Sequence, residues 1–207
     1  MRILIACESS GVVREAFRSM GHDAWSCDLL PADDGSEFHI QGDALEAVRG
    51  GEWDALGFHP PCTYLSVSGI HWNGRGRGWE RTDKALQFVR DLIAAAGDRP
   101  FYLENPVSII STRIAKPAQA IQPYEFGEDA SKKTCLWLKG FKPLEADPAQ
   151  RVAGRIVEWP RGSGKFVERW ANQTDSGQKR LSPGADRWKA RSRTYAGIAR
   201  AMAQQWG

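Results

Sequence analysis

Trp53-Asp54-Ala55-Leu56-Gly57-Phe58-His59-Pro60-Pro61-Cys62-Thr63-Tyr64-Leu65 is the stretch on which the fold turns. Residues 53–58 form a short apolar run of the kind buried inside parallel sheets. Two prolines then stop the ladder, because neither can donate a backbone hydrogen bond. The turn they force sets Cys62 just beyond the carboxyl end of a strand, where open α/β sheets bind their ligands. A thiol there is partly exposed and able to react, whereas Cys7 and Cys27 are predicted to sit mid-strand in the core. Alone, Pro-Pro-Cys reads equally well as a rigid turn with an incidental cysteine. Its weight comes from Glu104-Asn105-Pro106, one helix and one strand further on.

Outward from this turn the chain alternates. Arg2 to Cys7 is a β-rich run, and a helix follows with Val12, Val13, Ala16, Phe17 and Met20 on one face, closed by Gly21 as a left-handed cap. A second strand runs from His22 to Leu29. Phe38 to Asp43 leads into a short helix through Val48. A helix over 82–96 carries Leu86, Val89, Ile93 and Ala96 on one side, and strand 100–104 ends at Glu104. This rhythm predicts an α/β fold, a mostly parallel sheet with helices on both faces. Thr194 to Ala203 reads as a closing helix that folds back onto the sheet.

Glu8, Asp28, Asp43 and Glu104 therefore recur at the carboxyl ends of successive strands. Carboxylates in such a row can accept hydrogen bonds from a ribose diol or an exocyclic amine. Ser9, Ser10 and Gly11, at the first helix's start, offer backbone N–H groups to an anion. The turn is not Gly-x-Gly-x-x-Gly, which argues against a dinucleotide. Each acid alone reads as a turn residue or helix cap; together they favour a nucleoside-containing ligand.

The 207 residues are enough for one domain with a real core and a small appendage. No apolar run approaches the ~18 residues that span a bilayer, and the N-terminus lacks the shape of a signal peptide. Cysteines at 7, 27, 62 and 135 have no Cys-x-x-Cys spacing, so a cytoplasmic protein with reduced thiols is expected. His59 and His71 flank Cys62, which raises a Cys–His pair or a metal site, but no third ligand has a recognisable spacing, and no metal is assigned.

The net charge of +3 conceals an asymmetry: residues 150–193 hold 11 Lys/Arg against 4 Asp/Glu, and residues 1–149 hold 16 against 21. That basic segment, interleaved with Trp159, Trp170 and Trp188, suits contact with a polyanion; the alternative is a solvated basic face over packed tryptophans. Between Val67 and Arg81, glycines spaced by Arg75 and Arg77 read as a mobile basic loop able to close over the site and meet phosphates, or as a plain surface connector. From Pro143 to Arg193 no period is sustained, which predicts a small irregular subdomain.

The order of these motifs resembles the cytosine-C5 DNA methyltransferase family, in a compact form similar to small phage and prophage proteins. The likeness covers most of residues 1–140 and the final helix. It rests on the pair Pro61-Cys62 and Glu104-Asn105, with Glu8-Ser9-Ser10-Gly11, Asp28 and Gly42-Asp43 in the acidic and glycine-bearing positions. The resemblance implies a Rossmann-like S-adenosylmethionine-dependent methyltransferase fold. Its catalytic domain would be 1–142 and 192–207, with 143–191 as a small target-recognition segment. It implies S-adenosylmethionine as methyl donor, held by Glu8, Ser9, Ser10, Gly11, Asp28, Asp43 and Pro60. Cys62 would be the nucleophile, with Pro61, Glu104 and Asn105 beside it, and Arg75, Arg77, Lys132 and Lys133 would meet DNA.

The chemistry agrees independently. Carbon 5 of cytosine accepts a methyl group only after a thiolate adds to the neighbouring ring carbon, and a carboxyl group at the ring nitrogen must then share or donate a proton. A target in duplex must be flipped out of the stack. The chain departs from the family at Thr63, where a Gln is usual, at Pro106, where a Val is usual, and before the last helix, where Arg191-Ser192-Arg193-Thr194 replaces the usual Asn. Ser131-Lys132-Lys133 is the sole counterpart of the base-orienting Gln-x-Arg-x-Arg. The short recognition segment leaves open the same chemistry on a free cytosine nucleotide, or a catalytically silent DNA-binding protein on this scaffold.

Overall fold

Seven strands in the order β3-β2-β1-β4-β5-β7-β6 form the sheet of the computed structural model, which describes residues 1–181 and 187–207. Its elements are β1 (Arg2–Ala6), α1 (Val12–Ser19), β2 (Asp23–Asp28), β3 (His39–Gln41), α2 (Ala44–Gly50), β4 (Ala55–Phe58), α3 (Val67–Ile70), α4 (Glu80–Ala96) and β5 (Phe101–Pro106), followed by α5 (Ile110–Arg113), β6 (Gln119–Ile121), β7 (Thr134–Lys139), β8 (Arg155–Glu158), β9 (Phe166–Arg169), α6 (Arg187–Ser192) and α7 (Ala196–Trp206). Strands β3, β2, β1, β4 and β5 are parallel, while β7 runs antiparallel to both its neighbours. The first five strands thus have the 3-2-1-4-5 order of a doubly wound sheet, with its switch point between β1 and β4.

Apolar side chains cover both faces, as the βαβ rhythm predicts. One core joins Leu4, Leu56, Phe58 and Leu103 to Val48 of α2 and Leu86, Val89 and Leu92 of α4. The other joins Ile3, Ile5 and Leu136 to Val13 and Phe17 of α1 and Ile198, Met202 and Trp206 of α7. The closing helix therefore folds back as expected. Gly21 takes φ +87° just past α1, the left-handed conformation expected of it.

Two expectations are corrected. Cys7 is not a mid-strand core residue: it lies one position past β1, half-buried, with φ +63°, alone among the described non-glycine residues in a positive φ. Such strain concentrates where the surroundings over-determine the backbone. The 143–191 stretch is also less irregular than its sequence reads, because β8 and β9 form an antiparallel hairpin with Val157 opposite Val167. Trp170 is buried there and stacks on Tyr124 at 3.9 Å between centroids. Residues 182–186 of that segment, and the side chain of Trp188, lie outside the described residues.

Arg14 is a charged side chain wholly inside the fold. It bonds Ser26 Oγ at 2.8 Å and Glu15 at 2.9 Å, and it pairs with Asp34. Through Asp34 it ties α1 to the loop after β2. Removing one partner of a buried pair usually costs 3–5 kcal/mol, but Asp34 is 39% exposed and can rehydrate. Arg14→Ala is therefore expected to lose roughly 2–3 kcal/mol in urea denaturation; a loss below about 0.5 kcal/mol would show that the buried guanidinium contributes nothing net.

Candidate active site

The register between β4 and β5 assembles the site. Phe58 pairs with Leu103 and Gly57 with Tyr102, so the next residues along, His59 and Glu104, stand side by side. By strand periodicity Gly57, His59, Tyr102 and Glu104 share one face. Gly57 is needed there: a Cβ at that position would lie 2.5 Å from the Tyr102 ring and hydroxyl. The space it leaves lets the phenol reach His59, with Tyr102 Oη 2.9 Å from Nε2. On its other side His59 Nδ1 lies 3.1 Å from Glu104 Oε2. Both contacts are satisfied when Nδ1 carries the proton and the Tyr102 hydroxyl donates to Nε2. Burial, and then the charges of Glu8 and Glu104, push the Tyr102 hydroxyl well above its ordinary pKa, which keeps it a donor. Thr194, before α7, approaches the same Nδ1 at 3.5 Å.

One residue past β4, the His59 N–H still bonds the Ala6 carbonyl at 3.0 Å, and there the ladder stops. Pro60 and Pro61 follow, as their missing donors require. The turn is closed by Leu65 and Ser66, which donate to the Cys62 carbonyl at 3.1 and 2.9 Å. It is also pinned from β5: Asn105, fully buried, donates to the Pro60 carbonyl at 2.9 Å. The two motifs singled out in the sequence are thus joined by a hydrogen bond.

Cys62 and Glu104 face one cavity of about 950 Å³, which extends past Pro60 to Glu8, Ser9, Ser10 and Asp28. Burial, reinforced by Glu104, raises the Cys62 thiol above its usual pKa, while Lys132 and Arg191 pull it back. For Glu104, burial favours the neutral acid, but Lys132 and the His59 hydrogen bond outweigh it and leave the carboxyl below its usual value. The site at rest thus holds a thiol and a carboxylate. Alkylation of Cys62, followed by peptide mass spectrometry, is expected to climb as pH rises through 9. Lys132→Ala, which removes a lowering charge, should slow it about three- to tenfold at pH 8; an unchanged rate would mean that Lys132 does not reach the thiol.

Asp28, at the end of β2, lines the cavity and accepts from Leu30 N at 3.0 Å. Glu8 is placed differently from a free strand-end acid. Its buried carboxylate accepts from Val13 N at 2.8 Å, Arg14 N at 3.3 Å and Ser10 Oγ at 3.1 Å. It therefore fills the amino end of α1, which the sequence presents as open to an anion. Gly11 adopts φ +69° against the Arg14 guanidinium and lies outside the cavity lining. Asp43 caps α2, accepting from Leu45 N and Glu46 N at 2.8 and 3.0 Å, and is likewise outside the lining.

Lys132, Lys133 and Arg77 line the cavity; Arg75 does not, and lies 5.9 Å over the Trp72 ring instead. The 67–81 segment has more internal structure than an open basic loop: α3, a 3₁₀ turn at Asn73–Arg75, and the buried Asn73. Of the two histidines that raise a Cys–His pair in the sequence, His59 is the partner of Glu104. Tyr102 went unmarked in the sequence because it sits in an apolar strand; the paired alternations Gly57-x-His59 and Tyr102-x-Glu104 were the available signal. Arg191, Arg193 and Thr194 join the lining from the end of α6.

Among the described residues, no cluster of three metal-ligating side chains occurs, and no helix is long and apolar enough to cross a membrane. No protein-family model matches the chain, and a search of curated proteins returns no match.

Proposed function

We propose that the protein transfers a methyl group from S-adenosylmethionine to carbon 5 of cytosine in DNA, through a covalent adduct with Cys62. The observation that carries this reading is the convergence of Cys62 and Glu104 on one cavity, where burial and then the Glu104 charge raise the thiol. A cysteine placed beside a carboxylate is not thereby made more reactive; the pairing makes sense where the two act on different atoms of one ring. As Cys62 Sγ bonds to C6, the thiol proton passes to the Glu104 carboxylate and from there to the ring nitrogen, where the displaced electron pair arrives. C5 takes the methyl group as the bond to the donor sulfur breaks and leaves a neutral thioether. The C5 proton then passes to water, its electron pair restores the C5–C6 double bond as the S–C6 bond breaks, and the ring-nitrogen proton returns through Glu104 to the thiolate. His59 positions Glu104 by holding Oε2, and Tyr102 fixes His59.

The residues present fit the donor. Asp28 offers a carboxylate at the place where doubly wound sheets hold a ribose diol. Glu8 favours a donor without phosphate, because a buried carboxylate already occupies the helix end that a pyrophosphate would need. S-adenosylmethionine, when bound, supplies the methyl group and a sulfonium charge. The remaining work belongs to this chain: binding, orienting the base and moving protons at Glu104.

Mass spectrometry of nucleosides from cytosine-containing DNA incubated with protein and S-adenosylmethionine is expected to show 5-methylcytosine. Methylation confined to N4 of cytosine or N6 of adenine would overturn the assignment.

A further inference from the structure

The mouth of the cavity carries a feature that the Cys62–Glu104 chemistry does not use. Trp72 lines the cavity yet remains 51% exposed; Val67 and Val107, in the same lining, are also exposed and are joined by a backbone hydrogen bond of 3.2 Å. Trp72 is held in place from below. The next residue, Asn73, is buried and donates to Thr82 Oγ1 at 2.7 Å, and Thr82 donates to the Tyr64 carbonyl at 2.9 Å. This anchor holds the turn that carries the half-exposed indole, with His71 against the ring edge-on and Arg75 over it. Lys132, Lys133, Arg191 and Arg193 line the same cavity.

A ligand for this lip needs flat apolar faces and anionic groups at intervals. A single-stranded polynucleotide has both. A free nucleotide has one ring, and under the reading above that ring is spent in the pocket of Cys62, which leaves Trp72 without a partner. A closed duplex hides its base faces. We propose that Trp72 is a stacking platform for the base adjoining the target, so that the ligand is an opened or single polynucleotide strand rather than a mononucleotide. This deepens the proposed function and rests on it for the identity of the target base.

Octathymidylate labelled with fluorescein, titrated with the full chain in the absence of methyl donor, tests the platform without any cytosine chemistry. Trp72→Ala is expected to weaken binding about tenfold, and Trp72→Phe, which keeps a ring, no more than about threefold. Trp79→Ala should leave affinity unchanged, since Trp79 is 45% exposed but outside the cavity lining. Binding of dTMP should not respond to Trp72→Ala. Equal affinity of Trp72→Ala and the parent chain, an equal loss on dTMP, or tighter binding of a blunt duplex would each overturn the proposal. Stacking without any methylated product would leave the platform standing and remove the methyl-transfer reading; methylation of dCMP as fast as of an oligonucleotide would do the reverse.

Discussion

Cys62→Ala is expected to abolish methyl transfer, by at least about 10⁴-fold, the scale on which removing a covalent nucleophile acts. The fold should survive the change. The turn is held by the Cys62 carbonyl, which accepts from Leu65 and Ser66, and by Asn105 on the Pro60 carbonyl, and none of these bonds uses the sulfur. Donor affinity, measured by calorimetry, should therefore stay within about twofold of the parent. Transfer of labelled methyl groups reads the effect. Residual activity within tenfold of the parent would mean that the ring is methylated without an adduct, and the mechanism would fall with it.

Glu104→Gln should produce two changes of opposite sign. Methyl transfer is expected to drop by about 10² to 10⁴, the usual contribution of a positioned acid or base. Alkylation of Cys62 should instead become faster at pH 8. After burial, the charge of Glu104 is the main influence holding the proton on that thiol, and glutamine removes it. Glutamine keeps an oxygen for His59, so the relay through Tyr102 has little reason to rearrange. A variant that merely disturbed the fold would change both readings in the same direction. Slower alkylation together with slower transfer would show that the two groups do not share a field.

The central sheet was legible because its strands are short, apolar and punctuated. Ile3-Leu4-Ile5-Ala6, Ala55-Leu56-Gly57-Phe58 and Phe101-Tyr102-Leu103 each give way within two residues to a polar one, and each became a buried strand. The hairpin of β8 and β9 was not legible. Arg155-Ile156-Val157-Glu158 and Phe166-Val167-Glu168-Arg169 leave Ile156 66% and Phe166 70% exposed, so hydrophobicity did not mark the paired faces. At the site, Cys62 and Glu104 could be named because Pro-Pro and Asn-Pro set them apart. Their shared cavity could not, since it depends on a register of β4 against β5 that no local pattern states. The role of Glu8 was hidden for the same kind of reason: whether a strand-end carboxylate faces a ligand or turns back to cap the next helix is decided by a side-chain rotation that composition leaves open.

Thr194 reaching His59 has a consequence for how the protein is born. A ribosome makes the nucleophile early and the wall that encloses it late, because residues 191–194 and α7 are translated long after β4 and β5. Until α7 settles on α1, the pocket lacks one side, and the thiol meets bulk water. Competence should therefore switch on only once α7 has been made, and a nascent chain stalled before residue 190 should display a reactive sulfur with no means of holding a base against it.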